Sequence, residues 1–321
     1  MFLARCAAIS LALFVLLYVP ASLAVSRGWG LLPQVVKPRT ARGSADLLFA
    51  LRMLPFVLAA VFTLVFALPS FLLLEPRSTD EAVGTAPLML GLCCLGVLAA
   101  GAVRSASAQI RTSRALTKWM DGSTVMDSAA PVPVFITARD AVTARDAPSL
   151  TVAGVRDPKV LVSEAAIAAL TPPELRAALK HEAAHAQSYD NLKKLLFRLA
   201  VFPGMAGLER AWSEQSELAA DDAAVLCFRD ALDLAGALIK VSRLGTWQPQ
   251  AELTTGLLHS STALGTRVQR LISWKKNSAS ATHGTSWRYA LPSLCGTLFV
   301  LVATYGSVLT GLHAVTEWLV R

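Results

Sequence analysis

The chain of 321 residues is 54% hydrophobic and 16% charged, with a mean hydropathy of +0.50 and a net charge of +8. Soluble domains carry roughly a quarter charged residues, so this composition excludes a purely water-soluble globule and a disordered chain. The positive charges are scattered over loops instead of being massed on one element. We therefore expect the basic bias of a membrane protein and no direct nucleic-acid binding.

Four stretches are apolar over about the 20 residues that a transmembrane helix needs. They cover residues 6–25, 53–74, 87–103 and 289–315. The first stretch could instead be a cleaved signal peptide, because Arg5 precedes it, but a retained span is preferred in a chain with further spans downstream. We predict a mostly α membrane protein with four transmembrane helices, three of them within residues 1–103 and the last within residues 289–321.

The distribution of Lys and Arg predicts the orientation of these helices. The second connection has a single basic residue, Arg77, whereas the first contains Arg27, Lys37, Arg39 and Arg42. The long segment after the third helix is basic at both ends. By the positive-inside rule, the first connection and the long segment are expected in the cytoplasm. Both termini are expected outside, in a multi-pass protein of the cell (inner) membrane.

Residues 104–288 are the one segment long enough for a core of its own, and we predict an inserted small α+β domain there. Its start is typical of a basic helix that leaves the membrane. The pattern is helical from Glu164 onward, and β-branched runs before it predict strands at 132–137, 150–155 and 160–163. Residues 192–208 are apolar with basic residues among them, which fits a helix on the membrane surface or against the spans, or a buried core helix.

The segment TPPELRAALKHEAAHAQSYD begins at Thr171 and contains an HExxH motif. A capping hydroxyl, two prolines and Glu174 predict a helix start with a capping box. His181 and His185 share one helical face, so both imidazoles can bind one metal ion. A chance pair of surface histidines is the alternative.

Glu182 gives this motif its chemistry. Two His and one carboxylate leave a coordination position open, as in catalytic Zn²⁺ sites, and Glu182 then stands beside a metal-activated water as its general base.

A third ligand must come from elsewhere in the chain. The metzincin pattern is excluded, because Ser188 and Asn191 occupy the positions where it needs Gly and His. The run SEQSELAADDAAV offers Glu217, with Asp221 one turn later to support a histidine ligand from behind. Glu214 and Glu209 are rivals, and each of these carboxylates could simply be solvated.

Residues 160–192, VLVSEAAIAALTPPELRAALKHEAAHAQSYDNL, resemble the zinc-peptidase domain of the BlaR/MecR-type bacterial membrane metallopeptidases. The segment is also similar to the HtpX and CAAX-prenyl-protease families. The resemblance implies a zincin-like domain of the gluzincin type, in which a short edge strand precedes the HExxH helix and a later ExxxD motif supplies the third ligand. Glu217 and Asp221 match that motif.

Two further matches to the family pattern are weaker. Asp190–Asn191 follows the HExxH helix as in the family, and residues 263–272 are similar to an Arg-containing helix near the end of its domain. Arg267 and Arg270 in that stretch could equally be solvated helix charges.

The resemblance implies an integral membrane zinc endopeptidase that hydrolyses a protein or peptide substrate in signal transduction or regulated proteolysis, for example a cytosolic transcriptional repressor. An HtpX-like quality-control protease and a non-catalytic zinc-binding transducer are the alternatives. The oxyanion donor stays open among Tyr189, His259 and Arg267. Because the sequence stops at Arg321, the C-terminal penicillin-binding sensor of BlaR-type proteins is expected to be missing, and antibiotic sensing is not implied.

Overall fold

The computed structural model describes residues 2–31, 40–75, 84–128, 131–137, 149–244, 253–256, 261–274, 304–311 and 314. Three helical runs are long and apolar enough to cross a membrane, and we call them the first, second and third membrane helices: Phe2–Leu31, Ala41–Leu74 and Thr85–Met120. They contain the first three predicted spans. The fourth predicted span, residues 289–315, lies outside the described residues except for 304–311, which we call the C-terminal segment, and 314; these are helical.

The membrane helices are built from several regular elements. The third is one helix, α4 (Thr85–Met120), and the first is α1 (Phe2–Gly28) followed by a 3₁₀ turn. The second consists of α2 (Ala41–Phe62), a π-helical turn (Thr63–Ala67) and α3 (Leu68–Leu74).

Contacts between the helix ends fix their relative directions. Arg5, at the start of the first membrane helix, pairs with Glu75, just past the end of the second, at 3.1 Å, and both side chains are buried. A side chain at Gly91 would press on the backbone of Ala8, so the third membrane helix packs closely on the first near the start of both. The first and third membrane helices are therefore parallel, and the second runs the opposite way.

The π-helical turn in the second membrane helix has a local cause. Pro69 has no N–H to donate to the carbonyl of Val65, four residues earlier, and a local π adjustment is one way in which membrane helices accommodate such a break. The hydroxyl of Tyr305, in the C-terminal segment, donates to that carbonyl at 3.0 Å. The hydroxyl of Ser70 donates to the carbonyl of Leu309 in the same segment at 2.9 Å. Two hydrogen bonds therefore join the C-terminal segment to the second membrane helix near this turn.

Beyond the membrane helices lies a five-stranded mixed sheet. Its strands are ordered β1-β2-β4-β3-β5, with bounds Thr124–Met126, Val134–Thr137, Leu150–Ala153, Lys159–Ser163 and Thr254–Gly256 for β1 to β5. β2 and β4 are parallel and the other pairs are antiparallel. The three predicted strand regions are thus confirmed within a few residues, but the strand just before the HExxH helix is β4, which lies inside the sheet and not at its edge.

In the described part of the chain, six helices accompany the sheet, α5 to α10: Glu164–Ala169, Pro172–Gln187, Asp190–Leu199, Ala206–Ala224, Phe228–Arg243 and Ser261–Ile272. α6, which carries the HExxH motif, packs on β3 and β4 on one side and on α8 and α9 on the other. One continuous apolar core joins these layers, and Val160, Ala178 and Leu238 are completely buried in it. The predicted α+β domain is therefore present, with a mixed sheet behind the HExxH helix.

The third membrane helix does not end where the predicted span ends. The basic helix predicted from residue 104 is found as a continuation of α4, which extends to Met120 without a break at the predicted start of the domain. No Pro or Gly interrupts the chain between residues 102 and 120, so the change from apolar to polar side chains alters the helix surface and leaves its backbone intact. Trp119 at its end is buried against Ala153 and Leu161 of the sheet.

α7 and the loop after it lie against the membrane helices. Tyr18 of the first donates to the Val201 carbonyl at 2.9 Å, and Arg52 of the second donates to the carbonyls of Phe197 at 3.2 Å and Ala200 at 2.7 Å. Of the interpretations open for residues 192–208, packing against the spans is the one found in the structure.

Substitution of Gly101 tests this docking. A Cβ at Gly101, in the third membrane helix, would overlap the carbonyl oxygen of Leu199 at the end of α7. We expect Gly101→Ala to cost about 1–3 kcal/mol of stability through overpacking, although Gly→Ala within a helix normally gains about 0.5–1 kcal/mol. Gly96→Ala is the matched control, because nothing lies within 4 Å of its Cβ. Thermal unfolding in detergent measures both, and equal stability of the two variants would contradict the close packing.

Candidate metal centre

The HExxH helix begins as the sequence predicts. The backbone N–H of Thr171 donates to the Glu174 carboxylate at 2.7 Å, within a capping box. Lys240 of α9 pairs with the same carboxylate at 2.7 Å. The start of α6 is therefore tied both to its own cap and to a neighbouring helix, which sets the direction in which the two histidines project.

His181, His185 and Glu217 converge on one point between α6 and α8. The two Nε2 atoms are 3.2 Å apart. Glu217 Oε2 lies 3.6 Å from His181 Nε2, and its Oε1 lies 3.6 Å from His185 Nε2. All three residues are buried, and together they form a group that could hold a metal ion.

These separations fit a tetrahedral metal ion. Bonds of about 2.1 Å at tetrahedral angles place the ligand atoms roughly 3.4 Å apart. The three distances of 3.2, 3.6 and 3.6 Å lie on either side of that value. Two imidazoles with one carboxylate are also a donor set of the kind that holds zinc and related transition metals.

Two aspartates support the histidine rings from behind. Asp190 Oδ2 lies 2.7 Å from His185 Nδ1, and Asp221 Oδ1 lies 3.0 Å from His181 Nδ1. A carboxylate at Nδ1 fixes the ring so that Nε2 is the atom left for a metal. Asp221 thus lies beside His181 as its spacing predicts, within ion-pair distance of Nδ1, whereas Asp190 makes a hydrogen bond with Nδ1 of the second histidine.

Arg267 of α10 connects the acidic members of the site. Its Nη1 donates to Glu217 at 2.8 Å, and its Nε and Nη2 donate to the two oxygens of Asp221 at 2.8 and 2.6 Å. Only 4% of Arg267 is exposed. It is therefore not a solvated helix charge, and the contacts made by its guanidinium orient both carboxylates.

The charges in this buried cluster shift its pKa values strongly. Burial raises the pKa of Glu217, but Arg267 and His185 outweigh it and hold the pKa well below its usual range. Burial lowers the pKa of His181, yet the neighbouring Asp221 and Glu217 carboxylates raise it to about 9. Without a metal, His181 is accordingly protonated at neutral pH, so a bound metal must displace that proton.

Glu182 lies next to this group, and its carboxyl group makes no hydrogen bond to the described residues. Both of its oxygens are buried and neither has a hydrogen-bond partner among the residues that the structure describes. Burial raises the pKa of Glu182 to about 8; His181 opposes this increase, and the nearby Glu217 carboxylate adds to it. A buried carboxylate without partners is costly in an apolar interior, which marks this position as one shaped for a task other than stability.

The other carboxylates proposed as third ligand lie elsewhere. Glu214 is exposed on α8, and Glu209 pairs with Arg52 at 2.8 Å. Of the candidates for an oxyanion donor, Tyr189 has 60% of its surface exposed, Arg267 is engaged by Glu217 and Asp221, and His259 lies outside the described residues.

Two contributors were not identified from the sequence. Asn191, noted there only as part of a family pattern, donates from Nδ2 to the carbonyls of Val152 and Gly154 at 3.2 and 3.0 Å. It thereby joins the start of α7 to the end of β3. Lys194, one turn later, has its pKa lowered to about 8 by burial, against the opposing effect of the Glu217, Asp190 and Glu182 carboxylates.

Neither protein-family models nor curated proteins match this chain. The interpretation of the site therefore depends on its own geometry and chemistry.

Proposed function

We propose that the protein is an integral membrane zinc-dependent endopeptidase. The observation that carries this proposal is the buried, unpartnered carboxylate of Glu182 beside three convergent ligands. Structural zinc sites almost always use four protein ligands, whereas catalytic sites use three. The described residues supply three ligands, as in a catalytic site. The carboxylate of Glu182 beside them can act as a general base, whereas a purely structural zinc site has no use for one.

In the proposed mechanism the chain's own residues move one proton and hold the ligands in place. Zinc, when bound by His181, His185 and Glu217, supplies a Lewis acid that polarises a peptide carbonyl and lowers the pKa of water towards neutrality. A carboxylate oxygen of Glu182 accepts the proton of the attacking water and delivers it to the nitrogen of the leaving amine. Asp221 holds the ring of His181 in its ligating orientation throughout.

The proposed substrate is a protein segment close to the membrane. α7 directly follows the HExxH helix and is docked on the membrane helices through Arg52, which keeps the site near the bilayer. Regulated cleavage of a single partner, such as a cytosolic repressor, is the role favoured by the family resemblance of residues 160–192. A quality-control protease would instead cut many proteins, so the number of cleavage products distinguishes the two roles.

Zinc content tests the ligand assignment. We expect purified wild-type protein to hold about one zinc ion per chain, and Glu217→Ala to lose it, because the carboxylate that completes the three-ligand set is gone. Glu214→Ala removes an exposed carboxylate from the same helix and should keep the metal. Elemental analysis of the protein in detergent measures the zinc content. Casein cleavage in the presence of a chelator, and again after zinc is restored, measures whether the activity depends on the metal.

Three outcomes would contradict the proposal at different points. Zinc retained in Glu217→Ala would mean a different third ligand. Cleavage that persists in the chelated protein would mean that the activity is not metal-dependent. Wild-type protein without zinc would remove the enzyme proposal altogether.

A further inference from the structure

A cavity of about 560 Å³ lies where the second and third membrane helices meet α7 and α8. Two arginines on its wall mark the ends of apolar sequence: Arg52 directly precedes the predicted span 53–74, and Arg104 directly follows the predicted span 87–103. The cavity therefore lies at the level where two apolar helices emerge from the bilayer, which is the level of the lipid headgroups.

The charged side chains on the cavity wall are mostly basic: Arg52, Arg104, Lys194, Arg198 and Glu209. Arg52 and Glu209 neutralise each other across 2.8 Å. Arg104, Lys194 and Arg198 are the other basic side chains on the wall. Arg104 is exposed and makes no ion pair with any residue in the described part of the chain, so it is available to an incoming anion.

The rest of the wall is largely apolar and aromatic, with Phe197, Val201, Phe202, Pro203, Met205 and Trp212. A free inorganic anion would use only the basic side chains of such a cavity. A phospholipid would use both parts, because its phosphate and the first carbons of its acyl chains are joined in one molecule. Basic pockets between membrane helices are a recurrent form of site for anionic headgroups.

We propose that this cavity binds the phosphate headgroup of an anionic phospholipid, with Arg104, Lys194 and Arg198 as its cationic contacts and the aromatic wall against the base of the acyl chains. Lys194 lies between this cavity and the carboxylates of the metal centre, but Arg104 and Arg198 do not belong to that centre, and the lipid assignment does not depend on the proposed peptidase activity.

Lipid retention by the full-length protein tests the assignment. In nanodiscs of phosphatidylcholine with phosphatidylglycerol, we expect native mass spectrometry to show phosphatidylglycerol retained on the protein, and its presence to raise the unfolding temperature above that in phosphatidylcholine alone. Arg104→Gln should lower this retention about fivefold, the loss expected for one cation at a lipid phosphate. Arg198→Gln should act in the same direction.

The matched control is Arg114→Gln. Arg114 is exposed on the same helix as Arg104 but does not line the cavity, so its replacement changes the net charge equally and should leave retention unchanged. Unfolding temperatures in phosphatidylcholine alone show whether each variant folds as the wild type does.

Four results would overturn the lipid assignment. Arg104→Gln and Arg198→Gln could both retain phosphatidylglycerol at the wild-type level, or the wild type could hold phosphatidylcholine equally well. Inorganic phosphate could stabilise the protein in phosphatidylcholine nanodiscs as much as phosphatidylglycerol does, which would indicate a free-anion site. A soluble polyglutamate peptide could stabilise it where phosphatidylglycerol does not, which would indicate a site for acidic protein segments.

Discussion

Replacement of Glu182 by Gln is expected to lower peptide hydrolysis by about 10²–10⁴-fold, the usual contribution of a general base, while zinc content stays at the wild-type level. The amide has nearly the same size as the carboxylate but cannot accept a proton. Glu182 is buried and has no hydrogen-bond partner among the described residues, so the substitution breaks no described contact. The proposed metal ligands His181, His185 and Glu217 are unchanged.

The measurement pairs a cleavage assay with elemental analysis on the same preparations. Glu214→Gln makes the same chemical change on an exposed position of α8 and should alter neither readout. Full cleavage by Glu182→Gln would exclude its role as base. If that variant also kept every cellular function of the wild type, the non-catalytic zinc-binding transducer would be the better description.

Replacement of Arg267 by Met is expected to destabilise the metal-free protein by about 3–5 kcal/mol, because removal of one partner leaves other buried charges uncompensated. Glu217 and Asp221 both lose their guanidinium contacts. A bound cation would partly replace the lost positive charge, so added zinc should recover part of the unfolding temperature.

The matched control for this prediction is Arg270→Met, on the same helix. Arg270 pairs with Asp222 at 2.6 Å, but each side chain has 37% of its surface exposed, so the loss should be at most about 1 kcal/mol. Thermal unfolding in detergent with a chelator present compares the two variants. Equal losses would mean that the buried network around Arg267 contributes no more than a surface ion pair does.

The parts of the site that follow from local spacing could be predicted from the sequence. His181 and His185 share a face because they are one helical turn apart, and the capping box at Thr171 depends on residues three positions away. Glu217 needed the ExxxD pattern in addition, since spacing within its helix does not distinguish it from Glu214. The structure distinguishes them by burial, as Glu214 is exposed and Glu217 is 5% exposed.

The parts that depend on distant contacts could not be predicted. Arg267 is 50 residues from Glu217 in the chain, and nothing in its own helix shows that it is buried. The apolar and basic residues of 192–208 suit a membrane surface, a core or a helix bundle equally well. Only the hydrogen bonds from Tyr18 and Arg52 distinguish these environments.

The same limit applies to the sheet. β1 and β5 are three residues long, which is too short for an alternating pattern to be recognised. β1 is ordered by pairing with β2, and β5 by pairing with β3 about 100 residues earlier.

The unbroken third membrane helix has a mechanical consequence. A helix of 36 residues is about 54 Å long, and Trp119 at its far end packs against Ala153 and Leu161 of the sheet. If such a rod tilts by about 5° around its membrane end, the tip moves by about 4–5 Å. A rigid helix of this length would turn a small change of angle at its membrane end into a displacement beneath the strands that support the proposed metal ligands.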